Sequence, residues 1–336
     1  MKRLLLIILS LSVVLAACNT ESSETTKRDT VKITHTYEFK DKNKDHNKGQ
    51  IKKESINVPK NPKRVVVMDY GALDVMKALK LQNRIVAVAK GQGASFLPQS
   101  LKEFKNNKYD NLGNPGQPDY NQLAKAKPDV IFASFRQAHT KTLDEMKKAA
   151  PDAKIVFVSP NNDDYIDSIK KNTNNIGHIF GKEKEAQKLT TRLDNKVKQT
   201  KKVINQDTAL FLNVDDKGIK SYGSSGRFGG FLNKDLGIKH ADSKMKANSS
   251  GILISNEYLE KVNPDKLFVI NRTTDSNKEQ NNIPQTLNNS VIKNVNAIKN
   301  EDVTPFEANA WFFGEGGIDL TIKQLDQIKH AYISDK

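Results

Sequence analysis

The 336-residue chain has one cysteine, Cys18, and one tryptophan, Trp311. A disulfide needs two thiols, so the body of the protein has to be held by its core. An iron–sulfur site and a thiol nucleophile are excluded on the same ground once Cys18 is assigned to lipidation, as below. The six histidines are scattered, without the His-x-x-x-His spacing that aligns two imidazoles on one helix face. No Walker loop is present. Gly91-Gln92-Gly93 lacks the third glycine of a dinucleotide fingerprint, and Gly223-Ser224-Ser225-Gly226 is not Gly-x-Ser-x-Gly. Carboxylates are plentiful, but none stands out as an acid–base pair, so no catalytic residue is assigned and no enzyme is expected. After residue 17 no apolar run approaches the roughly 20 residues that cross a bilayer.

What the chain does have begins at its start. Met1-Lys2-Arg3 precedes an apolar run from Leu4 to Ala17, and then Cys18. A charged n-region, a short apolar stretch and small residues before a cut site mark residues 1–17 as a secretory signal. Leu15-Ala16-Ala17-Cys18 resembles the bacterial lipobox, which implies that Cys18 carries lipid and becomes the new N-terminus. The alternative is an ordinary signal with a chance cysteine. Residues 18–49 read as the lipidated cysteine and a flexible tether, because so polar a segment buries little surface. Within it, Val31 to Phe39 alternates weakly and suits an edge strand. The formal charge of +15 drops by two when Lys2 and Arg3 leave with the signal. The excess favours anionic partners. Export makes nucleic acid a poor candidate, and most of the lysines suit a solvated surface.

The remaining length exceeds a single core, so two lobes are expected: 50–160, then a helical interlobe region 161–205, then 206–336. Strand patterns at Arg64–Asp69, Ile85–Ala89, Asp129–Ala133 and Lys154–Val158 alternate with helical ones at Gly71–Leu81, Tyr120–Ala126 and Thr140–Ala150. That rhythm indicates βαβ units and a mostly parallel sheet. It stops from Asp163 to about Asn205, where helical spacing runs on and Gly181 interrupts it. It resumes with Thr208–Val214, a turn at Asp215–Gly218, the strand Lys266–Ile270 and a closing helix Ile318–Tyr332. A weak repeat links the lobes: Lys127-Pro128-Asp129 and Asn263-Pro264-Asp265 each separate a short helix from a strand.

Those two strands lead into Arg136 and Arg272. In open α/β sheets the carboxyl ends of the strands line the ligand crevice, so each lobe is expected to offer one arginine to a cleft. A third, Arg227, lies in the glycine-rich loop Gly223–Gly230. Arginine presents a rigid fork of donors and stacks on rings, which lysine does less well. The alternative is three unrelated surface or salt-bridged arginines. Trp311-Phe312-Phe313, before Gly314-Glu315-Gly316-Gly317, is the one dense aromatic cluster. It suits either core packing or an exposed loop flanking a ligand.

The lipobox, Pro59-Lys60-Asn61-Pro62-Lys63-Arg64, the Lys-Pro-Asp strand and the interlobe helix together resemble the class III substrate-binding lipoproteins of iron–siderophore importers. Gly226-Arg227-Phe228-Gly229, Asn294–Asn300 and Asn309–Gly317 are similar to the catecholate branch of that family. The resemblance implies two Rossmann-like lobes joined by one long α-helix, with the ligand between them. It implies that Arg136, Arg227 and Arg272 hold a ferric tris-catecholate, whose three negative charges they match. Lys90 is expected to add a fourth positive charge, and Trp311 to lie at the cleft. Where some relatives have a histidine and a tyrosine to complete the iron shell, this chain has Ser250 and Phe312. Iron is therefore expected to arrive already chelated, with no metal ligand and no intrinsic cofactor from the protein. Permease docking in the family uses an acid on each lobe. Glu257 fits one, and Asp119 stands in near Asn121 for the other. The implied partners are an ABC permease with its ATPase and the outer face of the cell membrane, with the protein a monomer. Haem needs a positioned Tyr or His, hydroxamate complexes carry less charge, and cobalamin is a further alternative. A surface adhesin would need no two-lobed body.

Overall fold

The computed structural model describes residues 29–41, 49–274 and 282–333. The signal segment 1–17 and Cys18 lie outside them. The first described element is a hairpin: β1 (Thr30–Phe39) pairs antiparallel with β2 (Gln50–Pro59) along its whole length. Alternate residues Val31, Ile33, His35 and Tyr37 are buried. Tyr37 stacks on Phe157 at 3.8 Å, and the Phe157 N–H donates to His35 Nδ1 at 2.9 Å. The tether expected to reach residue 49 is thus corrected, since Thr30–Phe39 is a full strand seated on the first lobe. Its alternation over Val31–Phe39 is weak in the sequence because two of its four inward residues are His and Tyr, which bury an apolar ring and keep a polar atom.

The first lobe's sheet is wholly parallel, in the order β5-β4-β3-β8-β9. Its strands are β3 (Val65–Val67), β4 (Ile85–Val88), β5 (Asp110–Asn111), β8 (Val130–Ala133) and β9 (Lys154–Phe157), with a small hairpin of β6 (Gly113–Asn114) and β7 (Gln117–Pro118) beside them. β3 and β8 are buried throughout, as parallel strands covered on both faces must be. The covering helices are α1 (Tyr70–Ala78), α2 (Tyr120–Ala126) and α3 (Thr140–Ala149). The chain then crosses once to the second lobe through α4 (Tyr165–Phe180) and α5 (Glu183–Lys201). The break expected at Gly181 is present, with φ 66 in the left-handed region that glycine adopts at no steric cost.

The second lobe repeats the plan. Its main strands run β13 (Ile252–Ile254), β11 (Gly218–Ser221), β10 (Thr208–Asp215), β14 (Lys266–Asn271), β15 (Val303–Phe306), and β12 (Lys239–His240) also pairs with β10. The helices α6 (Asn256–Val262), α7 (Asn296–Lys299), α8 (Ala308–Phe312) and α9 (Ile318–Ile333) follow. β13 and β15 are edge strands of three and four residues, one led by a glycine and one containing Pro305, and so leave little periodic signal. The internal repeat is structural. α2 and α6 both end on a left-handed residue, Lys127 and Asn263. Asp129 then accepts from Lys63 and Arg64 N–H, and Asp265 from Thr208 N–H, clamping each lobe's first strand to its Pro-Asp strand.

The inner layers of the two lobes share one apolar cluster, from Leu73 and Ile169 to Trp311 and Ile328. α9 returns to the first lobe, where the buried Asp74 of α1 accepts from the N–H groups of Asp319 at 2.7 Å and Leu320 at 3.1 Å. Burial, reinforced by Asp319, pushes the Asp74 carboxyl up to about 7. In the unfolded chain it titrates near ~3.9. Between these values the folded protein binds more protons than the unfolded one, so this group's contribution is fully present at acid pH and is lost as pH rises toward 7. Wild type should therefore lose stability relative to Asp74→Asn between about pH 4 and about pH 7, read as urea midpoints. Midpoints that move in parallel would sink this assignment.

Candidate functional site

Three elements bring the arginines together. After β8, Ser134 caps a tight turn, its Oγ accepting from Arg136 N–H at 3.1 Å, and Arg136 leaves the carboxyl end of the sheet. After β14, Arg272 leaves the corresponding end, its N–H donating to the Val214 carbonyl at 2.7 Å. Both positions lie where strand order reverses in their sheets, which is where open α/β sheets form a crevice. Arg227 comes from the glycine-rich loop, between Gly226 (φ 77) and Phe228 (φ 60).

All three converge on Phe312. Arg136 Nη2 donates to the Phe312 carbonyl at 3.0 Å, and Arg227 Nη2 donates to the same oxygen at 2.8 Å. The Arg272 guanidinium lies 3.5 Å from the Phe312 ring centroid and that of Arg227 4.2 Å. Arg136 sits over Phe135 at 4.4 Å and Phe313 at 5.4 Å. Cations over aromatic faces are stabilised by the ring quadrupole without losing their charge. Burial lowers Arg136 to about 10, with Glu315 opposing the fall and Arg227 adding to it. Burial likewise lowers Arg272. Both remain cationic at neutral pH, partly exposed and crowded, an arrangement that an anion relieves.

The arginines are not equivalent. Arg136 and Arg272 are partly exposed, but Arg227 is 7% exposed and is ion-paired to Glu315, itself 8% exposed. The expectation of three bare charges is thus corrected to two and a neutralised third. Trp311 is a second correction. It is 1% exposed, stacked on Phe306 at 4.5 Å, with its indole N–H on Gln327 Oε1. α8 turns it inward while its neighbour Phe312 faces the arginines, since successive helix positions diverge by about 100°. Lys90 is a third correction. It is 3% exposed and its ammonium donates to the Asn106 carbonyl inside the first lobe; burial lowers its pKa. Ser250 is exposed in a turn, its N–H on Asn248 Oδ1, on the segment that packs over Gly223 and Gly226. Asp119 and Glu257 are exposed at the starts of α2 and α6. Asp119 caps its helix by accepting from Asn121 and Gln122 N–H.

Phe313 was expected only as part of the Trp311-Phe312-Phe313 cluster, and Glu315 had no expected role. A signal existed for the second: Glu315 is the only charged residue between Glu307 and Asp319, and a lone charge in an apolar, glycine-rich stretch needs a partner if buried. Among the described residues, no three of His, Cys, Asp and Glu stand close enough to hold a metal ion.

The periplasmic binding protein family matches residues 65–309. The chain is 32% identical over 328 residues to the petrobactin-binding protein YclQ of Bacillus subtilis, covering 97% of each chain. The crystal structure of that protein superposes with a TM-score of 0.75 at 30% identity, over 90% of this chain and 99% of the other. The catecholate-siderophore-binding protein VctP of Vibrio cholerae gives 0.72 at 27%, over 88% and 99%. The ferric-anguibactin-binding protein FatB of Vibrio anguillarum is 27% identical over 294 residues, 86% of this chain and 87% of its own.

Proposed function

The chain belongs to the periplasmic binding protein family, with its class III α/β fold, and from that premise we propose that it captures a ferric catecholate siderophore, a tris-catecholate in the simplest case, outside the cell for an ABC importer. The observation that carries this reading is the convergence of Arg136 and Arg272, one from each lobe, on Phe312 and Phe313. A ferric catecholate is a rigid anion with charge on its oxygens and π-faces around it. Guanidinium forks suit the oxygens, at about 1.5–3 kcal/mol for each charge-assisted hydrogen bond. The half-buried Phe312 and Phe313 rings add aromatic surface beside the guanidinium groups. The protein's share is recognition of the chelator, with iron as cargo and no chemical step.

Cys18, as a lipidated residue, would tether the domain at the membrane face and keep a high effective concentration at the permease. Asp119, the N-cap of α2, and Glu257, in the first turn of α6, are the proposed docking acids, and the monomer is the proposed working form.

The test has a binding arm and a transport arm. Trp311 adjoins Phe312 in the chain, so its emission should be quenched in a saturable way by a ferric catecholate, and not by haem, cobalamin or a ferric hydroxamate. Cells carrying Asp119→Lys with Glu257→Lys should take up less of the complex although the purified variant binds it normally. Absence of saturable quenching with every ferric catecholate would remove the reading.

A further inference from the structure

Glu315 holds Arg227 with both carboxylate oxygens: Nε to Oε1 at 2.9 Å and Nη2 to Oε2 at 3.2 Å. A further N–H on Nη2 donates to the Phe312 carbonyl, and the guanidinium lies over the Phe228 and Phe312 rings. Nor can Glu315 swing away easily. A Cβ on Gly71 would lie 2.5 Å from the Glu315 carbonyl, so its backbone rests against α1. The next residue, Gly316, donates its N–H to the buried Tyr165 hydroxyl. The carboxylate is a fixed part of the site's floor and not a mobile cover.

A structural salt bridge explains why the pair exists but not why it lies beside two arginines with no bonded carboxylate, Arg136 on the same Phe312 carbonyl and Arg272 over the Phe312 ring. Its field acts on Arg136: Glu315 is the largest charge opposing the fall in Arg136 basicity. Resting on the reading of this cleft as a ferric catecholate site, we infer that Glu315 is a built-in counter-charge that sets which ligand charge the cleft prefers. It cancels one arginine. The margin favouring a trianionic complex over a less charged one is therefore smaller than three bare arginines would give. That admits ferric complexes in which fewer than three catecholates hold the iron. Two other buried groups bear on the same field. Asp69 faces Arg136 and is committed to capping α1 through Ala72 N–H. Tyr222 stands beside Arg227 and Arg272, its hydroxyl oxygen accepting from Asn213 Nδ2–H.

The experiment uses two probes of defined charge, the ferric complex of a hexadentate tris-catecholate (a trianion) and of a tetradentate bis-catecholate (a monoanion), titrated calorimetrically. Glu315→Gln keeps the shape and an acceptor for Arg227 but removes the charge. It should raise the trianion-to-monoanion affinity ratio about tenfold, because the added attraction scales with ligand charge. Arg227→Gln should lower that ratio. The double variant, an uncharged pair of similar size, should bring the ratio back toward the wild-type value, whatever either variant does to folding. Wild-type binding with a ratio unmoved by Glu315→Gln overturns the inference alone and makes the pair structural. Failure of the wild type to bind either probe removes the functional reading, and this inference with it.

Discussion

Arg136→Ala and Arg272→Ala should each weaken binding of a ferric tris-catecholate at least about tenfold, or ~1.4 kcal/mol, and together about a hundredfold. Each removes a partly exposed cation from a site where the partners are rings and a carbonyl and no carboxylate is bonded to it. Asp69, which faces Arg136, keeps its bonds from Ala72 N–H and the Ser159 hydroxyl, and Glu315 keeps Arg227, so the loss should fall on affinity more than on folding. Near-additivity is expected if each arginine meets a different catecholate. The contacts to Phe312 set a limit, since residues sharing a partner couple by about 0.5–3 kcal/mol. Arg227→Ala is a poorer probe. It would leave Glu315 buried and unpaired, a change that costs about 3–5 kcal/mol in comparable cases. Titration of the variants, with circular dichroism as a check on folding, decides the matter. Unchanged affinity in both single variants would move the site elsewhere.

Trp311→Ala should cost about 3–5 kcal/mol of stability, the range for large aromatic truncations in a core. The ring lies 7° from parallel with Phe306 and within 6.5 Å of Phe211, Phe228 and Phe231. Its truncation empties the centre of the second lobe's aromatic core and orphans Gln327. Urea unfolding at neutral pH measures the loss. A cost below about 1 kcal/mol would show that the core re-forms around the gap. Any effect on ligand affinity should be secondary, through slack in α8, and smaller than that of Arg136→Ala.

Much of the fold was legible because parallel strands buried on both faces write themselves as apolar, β-branched runs. Val65–Val67, Val130–Ala133 and Lys266–Ile270 are of that kind. Of the hairpin Thr30–Pro59 only a weak alternation over Val31–Phe39 was legible, since its buried face uses His35 and Tyr37, opposite Glu54 and Lys52, and its other face is mostly Thr, Ser, Asn and Lys. In the site, the strand-end rule put Arg136 and Arg272 at the crevice. It had nothing to say about Arg227, whose environment depends on Glu315, 88 positions away in the chain. Spacing carries no record of so remote a pairing. Trp311 and Phe312 are adjacent, and composition alone did not say which faced the core. The answer lies in how α8 is rotated, which Phe306 and Phe211 fix. Lys90 read as a free charge because the carbonyl it meets, that of Asn106, belongs to a loop with no periodic signal.

The segment from Glu307 to Leu320 follows the second lobe's last strand, yet it is pinned to the first lobe at several points. Gln99 N–H donates to Glu307, Asn309 donates to the Ser95 carbonyl, Phe96 stacks on Phe313, and Asp74 takes the start of α9. On the proposed reading, such a strap would make loading and unloading mechanically different events. A ligand settling on Phe312 would meet a site already assembled. A permease that levered the lobes apart would instead pull on the strap at both ends. The Phe312 carbonyl, held by Arg136 from one lobe and Arg227 from the other, is where that tension would arrive. Capture would then be a landing on a finished floor, while discharge would take the floor up.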